Sequence, residues 1–149
     1  MARFLGFLTC YPNNMLIHSG IITLDYSPAT DVLVTSMPDV KEFSLSEVSF
    51  CLGLIVENVR NYHIKNLLLD SSNSVVEVED EAYRAITMKF AMALMGTRLK
   101  KVARVGTADA DREQKSARLS ADIRQEVNLP VEFRNFATKE EAMEWLLSE

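Results

Sequence analysis

Two short, nearly continuous apolar runs constrain the fold of this chain more than any other feature. They extend from Ile64 to Asp70 and from Val102 to Gly106. Strands that are apolar at successive positions are buried on both faces, as in parallel sheets. Segments with helical spacing flank both runs, so right-handed strand–helix–strand crossovers are expected. The sequence therefore predicts an α/β fold with a mostly parallel sheet.

The segment before the first run predicts antiparallel strands. Met15 to Tyr26 alternates loosely between apolar and polar residues and is interrupted at Gly20. A turn at Ser27 to Thr30 and a returning strand from Asp31 to Met37 follow. Such a pattern is typical of a β-meander or hairpin.

About four helices are expected between and after these strands. Serine and threonine before the apolar periodicity, and acids three residues later, are typical of helix starts. The predicted helices extend from Ser44 or Ser46 to about Tyr62, from Glu79 to about Gly96, from Asp109 to Val127, and from Thr138 through an inner face at Ala142, Trp145 and Leu146.

Two of these helices have unusual patterns. Between Ala85 and Met95 the second is apolar on nearly every side, which predicts burial against more than one surface. Its methionines, Met88, Met92 and Met95, are candidates for a self-association surface, a wall of an apolar cavity, or plain core. The third helix is the most polar, and its expected inner stripe is weak: Ala110, Ala117, Ala121 and Ile123.

The chain is expected to form one domain over residues 1–149. That length suits a single domain, and 48% hydrophobic residues support a sizeable core. No linker, repeat or low-complexity tract interrupts it. Residues 1–14 are expected to form a tail or an edge strand, because Phe4 to Leu8 is too short for the apolar region of a signal peptide.

The order of these elements resembles the STAS-like (SpoIIAA-like) family of small bacterial proteins. The resemblance covers about Met15 to the C-terminus. It depends on Lys65 to Asp70, the acid-led second helix, Lys101 to Val105, and the closing stretch of Phe136, Glu140, Glu141, Ala142, Trp145 and Leu146. It implies a relation in fold to the anti-sigma-factor antagonists, and hence a non-enzymatic regulatory domain.

One position departs from that family. The antagonists carry a serine, phosphorylated by a partner kinase, near the start of the second helix. The matching position here is occupied by Glu79 and Asp80, so the resemblance does not imply phosphorylation. An acid there imitates a phosphoserine, or it interacts with the positive end of the helix, and the second interpretation is favoured.

Polar residues that follow the two buried strands form a candidate ligand rim. Asp70, Ser72 and Asn73 follow the first strand, and Gly106 and Thr107 follow the second. In open α/β sheets, ligands bind at the carboxyl ends of the strands. The simpler interpretation is that these five residues form loops and helix caps.

The sequence offers no set of residues for an enzyme and implies no cofactor. His18 and His63 have no second ligand at a metal-binding spacing. Cys51 lies in an apolar helical stripe and is expected to be an inert buried thiol. Asp109 and Asp111 follow Gly106 and would repel a phosphate.

Charge and cysteine usage limit the partners. The formal charge of −5 disfavours nucleic acid, and Arg98, Lys100, Lys101 and Arg104 are too few for a basic surface. No run is long enough to span a membrane. Two distant cysteines predict a reduced, cytoplasmic protein.

Two functions remain. The first is a STAS-like regulatory or protein-interaction domain that forms a homodimer. The second is a carrier of a small apolar or lipid-like ligand, held between the methionine-rich helix and the sheet.

Overall fold

The computed structural model describes residues 15–19, 22–128 and 130–148, which form a six-stranded sheet with helices on both faces. The expected tail or edge strand over residues 1–14 lies outside this part of the chain. The elements are β1 (Met15–Ser19), β2 (Thr23–Ser27), β3 (Val32–Ser36), β4 (Val40–Lys41), a 3-10 turn (Glu42–Ser44), α1 (Leu45–Asn61), β5 (Asn66–Asp70), β6 (Val76–Glu77), α2 (Asp80–Ala93), β7 (Lys101–Val105), α3 (Ala110–Glu126), β8 (Glu132–Phe136) and α4 (Lys139–Leu147).

The main sheet has the strand order β1-β2-β3-β5-β7-β8. The first three strands pair antiparallel, and β3, β5, β7 and β8 pair parallel. The predicted α/β class, with an antiparallel meander, a mostly parallel sheet and four helices, is therefore confirmed.

The alternation of side chains along the strands divides the core into two parts. On β5, Leu67 and Leu69 face the side covered by α1 and α2, whereas Leu68 faces α4. On β7, Val102 shares the first side, and Ala103 and Val105 share the second. The continuous apolar runs are thus explained by two buried faces.

A second, two-stranded sheet lies beside the main one. In it, β4 pairs with β6 in parallel, with Val40 opposite Val76. The apolar residues of Val75 to Val78 indicate an extended segment there, whereas no pattern indicates a strand at Val40. Two residues are too short for any periodicity to be visible.

The helix α2 ends at Ala93, before the expected end at Gly96. Its chain closes in a tight turn, in which the amide of Thr97 donates to the carbonyl of Leu94 at 3.2 Å. Gly96 lies in this turn with a φ of 84°, a left-handed conformation that glycine adopts without strain.

Candidate functional site

A cavity of about 140 Å³ lies between the sheet and the helices α1, α2 and α3. Its sheet side is formed by Leu69, Val102 and Phe133, and α1 contributes Val48 and Leu52. Apolar cavities of about 150 Å³ hold a molecule such as benzene. The space is partly open and is lined mostly by apolar side chains.

One face of α2 forms a wall of the cavity. Tyr83, Ile86, Phe90 and Leu94 recur at the three- and four-residue spacing of a single helix face, and all four line the space. The apolar composition of this helix is therefore partly explained by the cavity.

The three methionines proposed as an interface or cavity wall lie elsewhere. None of them lines the cavity. Met92 and Met95 are 56% and 43% exposed, and Met88 is half-buried. Their role as an interface stays a prediction.

The helix α3 covers the cavity with a face that the sequence did not indicate. Ser116 and Ile123 are the buried residues of this helix, and Arg112 and Leu119 continue the same face into the cavity. The predicted inner stripe is wrong at Ala110, Ala117 and Ala121, which are exposed. The inward face is partly polar because it covers polar groups at one end of the cavity.

That polar end lies at the carboxyl ends of β5 and β7. It contains Ser71, Ser74, Arg104, Arg112 and Ser116. Arg104 is only 5% exposed, and a guanidinium at that depth needs a partner. None of these five residues was singled out as a ligand-rim residue from the sequence.

Glu113 is the partner of Arg104. The two guanidinium nitrogens Nη1 and Nη2 donate to Oε1 and Oε2 of Glu113 at 2.8 and 3.2 Å, and Nη1 also donates to Oδ1 of Asn135 at 3.0 Å. The backbone amide and hydroxyl of Thr107 each donate to Glu113 Oε2 at 3.0 Å. Burial alone would raise the pKa of Glu113, but the hydrogen bonds and charge of Arg104 and the donors of Thr107 lower it to about 2.

The predicted rim residues lie at the expected edge of the sheet but do not line the cavity. The carboxylate of Asp70 accepts from the amide and hydroxyl of Ser72 at 3.0 and 2.6 Å, and Asn73 is exposed. Thr107 is bound to Glu113, and a side chain on Gly106 would collide with that carboxylate. These five residues have structural partners or solvent around them, and ligand binding by them stays a prediction.

At the family's switch position, Glu79 occupies the N-cap of α2 and Asp80 its first residue. The side chain of Glu79 makes no capping hydrogen bond. Asp80 is exposed and lies 3.6 Å from the ammonium of Lys115. The favourable interaction of these acids with the helix is thus one of charge with the helix dipole.

The remaining chemical residues lie apart from the cavity. Cys51 is buried in α1, and burial, with a smaller effect from the charge of Glu47, raises its pKa. His63 is exposed, and the side chain of His18 lies outside the described part of the chain. Within the described residues, no group of three His, Cys, Asp or Glu side chains could hold a metal ion.

The four basic residues near β7 do not act as one surface. Arg104 is buried against Glu113. The ammonium of Lys101 donates to the backbone carbonyls of Trp145 and Ser148 at 3.1 and 2.7 Å and lies 5.2 Å from the centroid of the Trp145 ring. The charges of Arg104 and Lys101 therefore already have partners within the protein.

The chain is similar in fold to one solved structure. That structure is of an uncharacterised protein from the DUF3478 family with a SpoIIAA-like fold, from Shewanella loihica PV-4. The two chains are 16% identical with a TM-score of 0.49, over 87% of this chain and 98% of the other. No protein-family model and no curated protein matches this chain. No helix within the described residues has the length and apolar character needed to cross a membrane.

Proposed function

We propose that this protein is a non-enzymatic domain that binds a small, mainly apolar molecule in the cavity beneath α2 and α3. The cavity itself is the observation that supports the proposal. The apolar side chains around this partly open space lack partner atoms on the side that faces it, which forfeits dispersion contacts. A ligand that fills it restores the lost dispersion contacts, so binding is favourable without any new polar interaction.

The side chains around the cavity support binding without catalysis. Its polar members are serines, Thr87, Tyr83 and three arginines, and no described His, Cys, Asp or Glu lines it. General acid–base or nucleophilic chemistry needs such groups within hydrogen-bonding reach of a substrate.

Access to the cavity is provided by α3. This helix is joined to α2 through Arg84, which pairs with Asp122 and Glu126, and through the exposed pair of Lys115 and Asp80. Exposed ion pairs contribute little stability, so the edge of α3 that faces α2 can move at small cost. The first turns of α3 stay attached to the sheet side through Glu113 and Arg112.

Methyl NMR with ethylbenzene tests the proposal. We expect shifts that saturate at low millimolar concentration and are confined to methyl groups that line the cavity, such as those of Ile86, Leu94 and Ile123. The substitution Ala91→Leu fills the cavity and should abolish the shifts, whereas Ala85→Leu, on the exposed side of α2, should not. Unchanged methyl spectra at saturating ethylbenzene would contradict the proposal.

The second candidate function is a self-associating regulatory domain, in the reducing cytoplasm that the cysteine usage predicts. The observation that favours it is the exposure of Met92 on α2 and of Met95 in the turn that follows it, since methionine is common at adaptable binding surfaces. Light scattering at high micromolar concentration should give the mass of a dimer, and Met92→Glu should return it to that of a monomer. A monomeric mass for the unaltered protein would eliminate this candidate.

A further inference from the structure

Two serine hydroxyls at the polar end of the cavity lack hydrogen-bond partners. Ser71 and Ser116 are 5% and 8% exposed, and both line the cavity. Neither hydroxyl forms a hydrogen bond to any other described residue, although buried hydroxyls in folded proteins nearly always have a partner.

Other hydroxyls around the same cavity are satisfied internally. Ser74 donates to the carbonyl of Pro38 at 2.8 Å, Thr87 to that of Tyr83 at 2.8 Å, and Ser120 to that of Ser116 at 3.0 Å. Among the serine and threonine hydroxyls that line the cavity, only those of Ser71 and Ser116 therefore have no described partner. A polar group of a bound molecule would satisfy both hydroxyls.

The charged side chains around the cavity indicate that the polar group of the bound molecule is negatively charged. Arg104, Arg112 and Arg124 line the space, and no described Asp or Glu does. Arg104 is neutralised by Glu113, whereas no described carboxylate lies within ion-pairing distance of Arg112. Arg112 thus forms no ion pair with a described carboxylate, although it also lines a neighbouring pocket that contains Asp80, Asp109, Asp111 and Asp122.

Local geometry places this charge beside the unpartnered hydroxyls. Arg112 and Ser116 are four residues apart on α3 and therefore share one face. The guanidinium of Arg112 donates to the backbone carbonyl of Ser74, in the loop that also contains Ser71. A single guanidinium has further N–H donors beyond that bond, and it suits a carboxylate in particular.

We propose that the cavity binds a small monocarboxylate, with its carboxylate at Ser71, Ser116 and Arg112 and an apolar body against Phe90, Leu94 and Val102. The inference rests on the proposed function and adds the chemical class of the ligand. The apolar part is about the size of one benzene ring, as the cavity volume requires.

Four compounds of nearly equal size separate this inference from simple apolar binding. Ethylbenzene has no head group, 2-phenylethanol has a neutral one, phenylacetate an anionic one and 2-phenylethylamine a cationic one. Titration calorimetry at pH 7 should show phenylacetate binding at least tenfold more tightly than the alcohol and the amine.

Matched variants test the residues. Arg112→Gln and the double substitution Ser71→Ala with Ser116→Ala should each weaken phenylacetate at least tenfold and leave ethylbenzene unchanged. Ser120→Ala is the control, because that hydroxyl also lines the cavity but already has a backbone partner. It should leave both affinities unchanged.

The possible results distinguish the two proposals. If ethylbenzene binds, but phenylacetate and the amine bind with equal affinity, the carboxylate inference is overturned and the apolar site remains. The two serines would then be partners of water molecules. The inference is supported if the unaltered protein and Ser120→Ala prefer phenylacetate, whereas the serine and arginine variants lose that preference. No binding by any of the four compounds would overturn both.

Discussion

The two faces of the sheet are covered differently. One face is covered by α4, whose Ala142 and Leu146 pack against four strand residues: Val32, Leu68, Ala103 and Val105. On the other face, three helices cover the sheet and enclose a cavity of about 140 Å³. Both faces use the same strands, and β5 supplies Leu68 to the first and Leu69 to the second.

The difference comes from the size and polarity of the covering side chains. Ala103 and Ala142 are both fully buried, so α4 can lie close to the strands. On the cavity side, Arg104 points into the space between sheet and helices, and α3 covers it with Arg112 and Ser116. The α4 face is therefore the more closely packed of the two, whereas the opposite face combines the larger apolar core with a cavity.

The largest expected change in the free energy of unfolding comes from a truncation on the α4 face of the sheet. Leu68→Ala should lower the free energy of unfolding by about 4 kcal/mol, because the α4 face is close-packed and cannot collapse around the gap. Leu119→Ala, at the half-buried cavity wall, should cost about 1 kcal/mol, because it enlarges a space that already exists. Urea unfolding measures both. Equal costs would show that the two faces are packed alike.

The next comparison adds volume in place of removing it. Ala142→Leu should destabilise the protein by about 2 kcal/mol, because the α4 face has no room for three more carbons. Ala91→Leu, which points into the cavity, should change the stability by less than about 1 kcal/mol. A large destabilisation by Ala91→Leu in thermal unfolding would argue against a usable cavity.

A third experiment addresses the ion pair at the polar end of the cavity. Glu113 has a pKa of about 2 in the folded protein against an ordinary value of 4.5, so its contribution to stability is present above pH 4.5 and is lost as the pH falls towards 2. Glu113→Gln should cost about 2 kcal/mol at pH 7, allowing for the partial exposure of the side chain.

The pH dependence of Glu113→Gln tests whether the charge of the carboxylate causes the stabilisation. The gap in stability between Glu113→Gln and the unaltered protein should narrow as the pH is lowered from 5 to about 2. A gap that stays constant over this range in urea titrations would mean that the carboxylate charge is not what stabilises Arg104.

The smallest effects distinguish the serines within the cavity. Ser74→Ala removes a hydrogen bond to the carbonyl of Pro38 and should cost about 1 kcal/mol. Ser71→Ala removes a hydroxyl with no described partner and should be neutral or stabilising by about 0.5 kcal/mol in the absence of ligand. A cost for Ser71→Ala as large as that for Ser74→Ala would indicate an internal partner for Ser71.

The order of elements could be predicted because it depends on local patterns. The runs at Ile64 to Asp70 and Val102 to Gly106 are nearly continuous in apolar residues and too short for a buried helix, which indicates strands with two covered faces. The pairing of β4 with β6 could not be predicted, since each strand contributes two residues.

The cavity could not be predicted, because an empty volume depends on how many side chains fit together and not on any one of them. The apolar composition of α2 made Met92 a candidate for the cavity wall, whereas the residues of this helix that line the cavity include Ile86 and Phe90. On α3, alanine was taken as the inward residue, whereas Ser116 is buried. The available signal was the spacing of Arg112, Ser116, Leu119 and Ile123, which is helical but polar in part.

Gly106 has a consequence for how this sequence can diverge. A Cβ at this position would collide with the carboxylate of Glu113 and push it away from Arg104. A larger residue at 106 would therefore weaken the pairing of Glu113 with Arg104, and with it the reason to keep an arginine at 104. The three positions are expected to change together across evolution, as a single inherited unit.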